Sequence, residues 1–319
     1  MRLFRPLVLL ILAGSALASV GEPTPMDLLK SGSVDEAIRI LNSQISANPN
    51  NPQTYGELCR VYNQLGDFDK AIQNCQKAIG IQPNNSEFHL WLGRAYGDKA
   101  DRSGIFGGMG WAKKTAAEFE RAVQLAPNDV QARADLTEFY REAPGLVGGG
   151  SDKAHQIVGD TERIDPVAAA VMRAQFALKD KDYRTAEAEA RTAVQESGGS
   201  AHYLLELARV YGKQKHWKDF ESTIMRAIEA KNRRPVDVFD AADMLVGFGR
   251  NLNGAVDLLH AYLKGPMDEL GPAFRAHFLI GRAYEKMGKK AEAAQEYRSA
   301  LNLASGFKSA QDALKRVTS

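Results

Sequence analysis

Apolar side chains recur along the chain in pairs of helical stripes separated by short polar turns. In one such pair, a first stripe falls at positions i, i+3, i+4 and i+7 and consists of Tyr55, Leu58, Cys59 and Tyr62. A second stripe consists of Ala71, Cys75 and Ala78. Gly66 and Asp67 lie between the stripes and predict the end of one helix and the start of the next. Pro83 predicts the end of the second helix.

The paired stripes repeat along the chain with a fixed period of 34 residues. This period separates Ala37 from Ala71, Pro49 from Pro83, Leu58 from Leu92 and Tyr62 from Tyr96. A period of this length is typical of stacked helix pairs. Neither helix of a pair can bury its apolar stripe alone, so each pair must pack against its neighbours.

The pattern resembles that of the tetratricopeptide repeat (TPR) family. The residues that carry the resemblance in the clearest units are Leu58, Tyr62, Gly66, Phe68, Ala71, Ala78, Pro83, Leu92, Gly93 and Tyr96. The final unit matches through Gly281, Tyr284, Gly288, Ala293, Tyr297 and Ala300. The resemblance implies an all-α, right-handed α-solenoid whose inner groove is lined by the first helix of each unit and binds peptides or proteins.

Residues 19–319 are predicted to form a single solenoid domain of about eight helix pairs. The predicted units are 26–51, 52–85, 86–129, 130–166, 167–200, 201–235, 236–268 and 273–306. The repeat pattern is degenerate between 167 and 268, where Phe220 and Asp243 stand at positions that small residues usually hold. Residues 307–317 are predicted to form a C-terminal capping helix that covers the exposed end.

Two glycine-rich insertions, near 98–111 and 143–151, interrupt the period. Each falls between the two helices of its unit, and we expect residues 104–110 and 144–150 to form neighbouring loops on one edge. Their apolar side chains are candidates for partner contact: Ile105, Phe106, Met109, Trp111, Leu146 and Val147. The alternative is that the two loops pack on each other. Ser151 and Asp152 follow the second loop where a phosphate-binding loop needs lysine, so no nucleotide site is expected.

Four polar residues are candidates for a peptide-binding groove: Arg60, Asn63, Arg94 and Arg141. Arg60 and Arg94 hold the same place in consecutive units. Arg209 and Arg282 hold that place in two later units. Guanidinium groups suit carboxylates, so one interpretation is a groove for an acidic peptide or a C-terminal carboxylate. The alternative is local pairing, since Asp98 lies four residues beyond Arg94.

Residues 1–18 have the pattern of a secretory signal peptide, with Arg2 and Arg5, an apolar run and a small-residue end at Ala18. The prediction is therefore an exported protein, periplasmic or secreted, without a transmembrane domain after cleavage; the alternative is an uncleaved anchor. Cleavage lowers the number of Lys and Arg from 41 to 39, equal to the 39 Asp and Glu. A neutral chain lacks the basic surface that nucleic acids require, and we expect no nucleic-acid partner.

The sequence contains no pattern that indicates catalysis. Its six histidines show no metal-ligand spacing, and the two cysteines, Cys59 and Cys75, fall on core-facing positions as a disulfide or as buried thiols. We therefore expect no catalytic residue, no cofactor and no metal. The prediction is a non-catalytic scaffold that binds a protein or peptide partner. The alternatives are a self-associating structural protein, as a homo-oligomer, and an enzyme whose site is invisible in the sequence.

Overall fold

The computed structural model describes residues 22–319, apart from the side chains of residues 105 and 106. The predicted signal peptide, residues 1–18, lies outside the described residues. Within them the chain forms seventeen α-helices and one 3-10 turn, and no strand. The first eight helices are α1 (Pro25–Ser31), α2 (Val34–Ala47), α3 (Pro52–Leu65), α4 (Phe68–Ile81), α5 (Ser86–Arg102), α6 (Gly104–Leu125), α7 (Val130–Glu142) and α8 (Ser151–Glu162). The 3-10 turn, Gly145–Val147, lies between α7 and α8.

The remaining helices continue the same alternation. They are α9 (Pro166–Lys179), α10 (Tyr183–Glu196), α11 (Ala201–Gln214), α12 (Trp217–Glu229), α13 (Pro235–Phe248), α14 (Leu252–Tyr262), α15 (Ala273–Lys286), α16 (Lys290–Leu303) and α17 (Lys308–Thr318). Odd-numbered and even-numbered helices form eight antiparallel pairs, and α17 follows them. The predicted all-α solenoid of about eight pairs with a final helix is confirmed, including three complete pairs in the region of degenerate pattern.

The pair α3–α4 shows how the repeat residues build one unit. Asn51 caps α3 by accepting a hydrogen bond from the Gln53 amide, and Gly66 ends the helix in the left-handed conformation (φ 70°). Cys59 and Cys75 are fully buried and joined by a disulfide between the two helices, which resolves the alternative that the sequence left open. Small and bonded side chains at this contact hold the two backbones close together.

The first insertion is a helical hairpin rather than a helix followed by a loop. Helix α5 extends to Arg102, and residues 104–110, which we expected to form a loop, are the first turns of α6. Gly104 makes the turn with φ 67°. A side chain at Gly108 would place its Cβ 2.7 Å from the carbonyl oxygen of Ala100. Glycine is therefore needed here because the two helices approach closely, and the expectation of a loop was wrong.

The two ends of the solenoid pack against each other. One hydrophobic cluster joins N-terminal residues to C-terminal ones: Leu29, Val34, Leu41, Leu58, Val61 and Leu65 with Phe274, Ala300, Ala304, Phe307 and Ala310. At Gly32, a Cβ would lie only 3.0 Å from the Leu303 side chain. The small rotation between successive repeats thus accumulates over eight pairs until the chain closes into a ring. Helix α17 covers α16 as the predicted cap and also contacts the N-terminal units.

Candidate functional site

The first helix of each pair contributes polar side chains to the concave surface of the ring. The four arginines that share one repeat position all lie there, and each faces a carboxylate of the same chain. The pairs are Arg60 with Glu87 and Glu269, Arg94 with Asp135, Arg209 with Glu206, and Arg282 with Asp243. The predicted groove arginines are therefore brought to one surface, but their charges are already matched within the protein.

Arg60 binds a segment of the chain that is distant in sequence. Residues 263–272, here called the closing segment, connect α14 to α15 and reach across to α3. Arg60 Nε donates to Glu269 Oε1 at 2.7 Å, and a second nitrogen of the same guanidinium lies 3.0 Å from the exposed Glu87 carboxylate. The acidic group that the sequence led us to expect at Arg60 is thus supplied by the protein itself.

Trp91 lies between the first two arginines of the groove. The guanidinium carbon of Arg60 is 5.6 Å from the centre of its ring, and that of Arg94 is 4.8 Å away. Arg94 Nε donates to Asp135 on α7 at 2.6 Å, so the local pair with Asp98 that was the alternative is replaced by a pair across helices. Both arginines are held by stacking and by charge.

The other two predicted groove residues are largely buried. Asn63 lines the concave surface beside Arg275, and its side-chain nitrogen is buried without a hydrogen-bond partner among the described residues. Arg141 lies above the ring of Phe176, with its guanidinium carbon 6.0 Å from the ring centre, and its Nε is 3.0 Å from a Glu142 oxygen. Neither side chain extends freely into the groove.

The predicted contact residues of the insertions have mixed environments. Trp111 is half-buried and stacks on Tyr96 at 5.6 Å between ring centres, and Met109 is also half-buried. Val147 is 5% exposed, whereas Leu146 is 70% exposed. The side chains of Ile105 and Phe106 lie outside the described residues. Of these candidates for partner contact, Leu146 is therefore well exposed, whereas Trp111 and Val147 pack against neighbouring residues of the chain.

The two insertions enclose a cavity, as their expected adjacency allows. This insertion cavity measures about 550 Å³ and is bounded by the ends of α5 and α7, by α6 and by the 3-10 turn. Its apolar lining includes Ala112, Phe119, Phe139, Ala143, Pro144 and Val147. Its charged lining consists of Arg94 and five carboxylates: Asp98, Asp101, Asp135, Glu138 and Glu142.

The insertion cavity has an acidic wall that is only partly neutralised. Asp135 is paired with Arg94, and Glu142 lies beside Arg141. Burial raises the pKa of Asp98, with a further contribution from the neighbouring Asp101 carboxylate, although water still reaches Asp98 through the cavity. Burial also raises the pKa of Glu138. Asp98, Asp101 and Glu138 are nevertheless exposed to solvent, so their charges are open to a cation that enters the cavity.

A second cavity of about 530 Å³ adjoins the first along the concave surface. It spans α7, α9 and α11 and carries basic residues: Arg141, Lys179, Arg209 and Lys213. Glu138 and Glu142 line both cavities. The two cavities together form a trough, here called the concave trough, that is acidic at α5–α7 and basic at α9–α11.

On the opposite side of the ring, residues from the two ends of the chain contact each other. Arg275 on α15 donates to the side-chain oxygen of Gln64 on α3 at 2.8 Å, and burial lowers the pKa of its guanidinium. On the neighbouring α13, burial and then Asp237 raise the pKa of Asp240 to about 6. Sequence reasoning missed Arg275, Asp101, Phe119 and Phe139, because their roles depend on which helices meet across the ring.

In 22–319, no group of three His, Cys, Asp or Glu side chains is arranged to hold a metal ion. None of the helices found there is both long enough and apolar enough to span a bilayer.

The fold and its concave surface define a helical-repeat protein, and comparison with known families identifies the repeat. Tetratricopeptide repeat models match residues 28–73 and 274–307, and a TPR repeat model matches residues 60–99. Residues 28–99 and 274–307 are therefore tetratricopeptide repeats. No curated protein matches it in sequence.

Solved structures with similar folds are distant in sequence. Yeast Tom70 is 15% identical over 94% of this chain and has a TM-score of 0.55; the match covers 65% of the Tom70 chain. A thermophilic TPR protein from Thermus thermophilus is 17% identical over 59% of this chain and 98% of its own, with a TM-score of 0.47. At such identities the likeness to Tom70 supports the fold alone.

Proposed function

We propose that this protein is an exported, non-catalytic scaffold that binds a protein partner in the concave trough. The observation that carries the proposal is that two cavities are continuous along four helices, α5, α7, α9 and α11, each of which is the first helix of its pair. On the α3–α15 side of the ring, contacts between the chain's own ends leave smaller cavities of about 320 and 310 Å³. The trough, with cavities of about 550 and 530 Å³, therefore offers more room to a partner segment.

The trough is suited to binding because its walls are held in place before a partner arrives. Ion pairs such as Arg94–Asp135, and stacking of Arg141 on Phe176, hold lining side chains in place. A pre-ordered surface lowers the entropy cost of association. The opposite charges at its two ends favour a partner segment that is basic at one end and acidic at the other, which fixes the direction of binding.

Export is supported by the signal-peptide pattern of residues 1–18 and by the disulfide between Cys59 and Cys75. Disulfides persist in oxidising compartments such as the periplasm or the extracellular space. N-terminal sequencing of the protein purified from its own cells tests this part of the proposal. We expect Ser19 as the first residue; a chain that begins at Met1 would contradict cleavage.

The binding function is tested by capture from the cell envelope followed by titration of the purified partner. Arg209→Glu inverts a half-exposed charge in the trough, and Arg298→Glu makes the same change on the exposed surface of α16. We expect Arg209→Glu to weaken partner binding by about tenfold or more, and Arg298→Glu to leave it unchanged. Equal binding by both variants would exclude the trough, and recovery of the protein alone would favour self-association.

A further inference from the structure

The insertion cavity differs from the rest of the trough because it combines an apolar floor with an acidic wall. Phe119, Phe139 and Val147 form the apolar part, and Asp98, Asp101 and Glu138 stand beside them. The neighbouring units have no equivalent, because the cavity is bounded by the extended end of α5 and by the 3-10 turn that follows α7. Both elements belong to the two insertions.

The charge of the lining is far from balanced. Five carboxylates face the cavity and only one guanidinium, that of Arg94, which is already bound to Asp135. Among the described residues, Asp98, Asp101 and Glu138 form no ion pair within 4.0 Å. A cation would therefore find carboxylates that no cationic side chain of the described residues already pairs with.

Lysine and arginine side chains combine the two properties that this lining requires. Their aliphatic stems pack on apolar surface, while their charged ends donate to carboxylates. The size of the cavity, about 550 Å³, lies within the range of ligand pockets, roughly 300–1,000 Å³. An acidic side chain would be repelled by the wall, and a purely apolar one would leave the carboxylates without a partner.

We propose that the insertion cavity is a specificity pocket that receives a lysine or arginine side chain of the partner segment bound in the concave trough. The inference rests on the proposed function, since it names the chemistry that the trough selects. The apolar stem lies against Phe119 and Phe139, and the charged end lies between Asp98 and Glu138. The remainder of the segment continues toward the basic end of the trough at Arg209 and Lys213.

The test is selection of binding peptides from a random library displayed against the full-length protein. We expect the bound peptides to be enriched in lysine or arginine at one position. In a selected lysine peptide, replacement of that lysine by norleucine keeps the aliphatic stem and removes the charge. This replacement should weaken binding by about tenfold or more.

Two variants of the protein locate the effect in the cavity. Asp98→Asn with Glu138→Gln removes two charges from the wall, and the matched control, Asp257→Asn with Glu229→Gln, removes two from exposed surface. The wall variant should bind the lysine and norleucine peptides equally, while the control keeps the difference. Gly97→Leu is an independent steric variant. A Cβ at Gly97 has only Thr115 within 4 Å, and both residues line the cavity, so the new side chain should fill the pocket without unfolding the helix.

Three results would overturn the inference: bound peptides without enrichment in basic residues, a lysine preference that survives in the wall variant, or undiminished binding to Gly97→Leu. In any of these cases, the selected peptides can be tested against the Arg209→Glu variant. If they bind this variant more weakly than the wild-type protein, the scaffold function stands and only the pocket assignment is wrong. If no library peptide binds the wild-type protein, both the pocket and the peptide-binding function are contradicted.

Discussion

At the scale of single residues, Arg60 forms two ion pairs that should contribute differently to the stability of the fold. Its carboxylate partners are Glu269, whose side chain is 14% exposed, and Glu87, whose side chain is 49% exposed. Hydrogen bonds to charged groups stabilise most where water is excluded, whereas exposed ion pairs are weakened by solvent. The closing segment should therefore be held mainly by the more buried of the two contacts.

We expect Glu269→Gln to lower the free energy of unfolding by about 1.5–3 kcal/mol, because it leaves the partly buried guanidinium of Arg60 with only the exposed carboxylate of Glu87. Glu87→Gln, the matched control on the same arginine, should cost less than about 1 kcal/mol. Urea unfolding of both variants measures the difference. Equal losses would contradict the view that the more buried contact, to Glu269, contributes more stability than the exposed one, to Glu87.

Gly93 illustrates a second residue-scale effect, the close approach of a helix to an aromatic ring. A Cβ at this position would lie 2.5 Å from the ring of Phe119, whereas a Cβ at Gly80 on α4 meets nothing within 4 Å. We expect Gly93→Ala to cost about 1–3 kcal/mol through overpacking. Gly80→Ala should stabilise the protein by about 0.5–1 kcal/mol, since alanine favours the helix. Thermal unfolding with the same sign for both changes would contradict this explanation.

At the scale of elements, His89 on α5 links this helix to α6 and to the turn that precedes α5. The ring nitrogen Nδ1 of His89 lies 2.6 Å from Glu118 on α6, and Nε2 lies 2.9 Å from the carbonyl oxygen of Pro83. The hydrogen bond to Glu118 raises the pKa of His89, although burial acts in the opposite direction. When the imidazole is protonated, both of its nitrogens can donate, and it joins the two helices to the preceding turn.

This arrangement predicts a pH-dependent contribution to stability. Because the folded-state pKa is raised, the contribution of His89 is complete below the unfolded pKa of about 6.5 and is lost as the pH rises through the folded pKa. His89→Gln should therefore destabilise the protein more at about pH 5 than at about pH 9. The exposed His216→Gln is the control, and urea unfolding at both values is the measurement. A pH-independent loss would show that His89 stabilises the hairpin without its charge.

At the scale of the whole molecule, ring closure changes how the repeats depend on one another. In an open solenoid each unit contacts only its neighbours, so distant units are coupled weakly. Here the first and last units share one core, and Phe307 lies 4.9 Å from Phe274 and 5.1 Å from Phe278 between ring centres. A substitution in the C-terminal unit should therefore also lower the local stability of the N-terminal units.

We expect Phe307→Ala to cost about 3–5 kcal/mol and to accelerate amide hydrogen exchange in α1–α3 as well as in α16 and α17. The control is Phe220→Ala, which removes an equally buried phenylalanine from the middle of the solenoid and should accelerate exchange around α12. Hydrogen exchange measured by mass spectrometry separates the two patterns. Faster exchange confined to α16 and α17 would contradict energetic coupling through the closure.

The repeat pattern was sufficient to predict the helix pairs, because the apolar stripes and turns of each unit all lie within about 34 consecutive residues. It failed at residues 104–110, where four glycines suggested a loop. There, glycine allows α5 and α6 to pack closely, and this contact cannot be predicted from the local sequence pattern. Arg60 and Arg94, which the repeat position suggested as groove residues, both lie beside Trp91. The carboxylates that bind them could not be predicted, since Glu269 lies 209 residues from Arg60.

The sequence by itself determined the class of fold, the number of helix pairs and the positions of the two insertions. These properties depend on residues close together in the chain, so periodicity alone reveals them. Only the tertiary structure decided that the ends meet, that the closing segment binds Arg60, and that the insertions enclose an acidic cavity. Each of these depends on the sum of small rotations over eight repeats, and that sum brings together side chains that no local spacing relates.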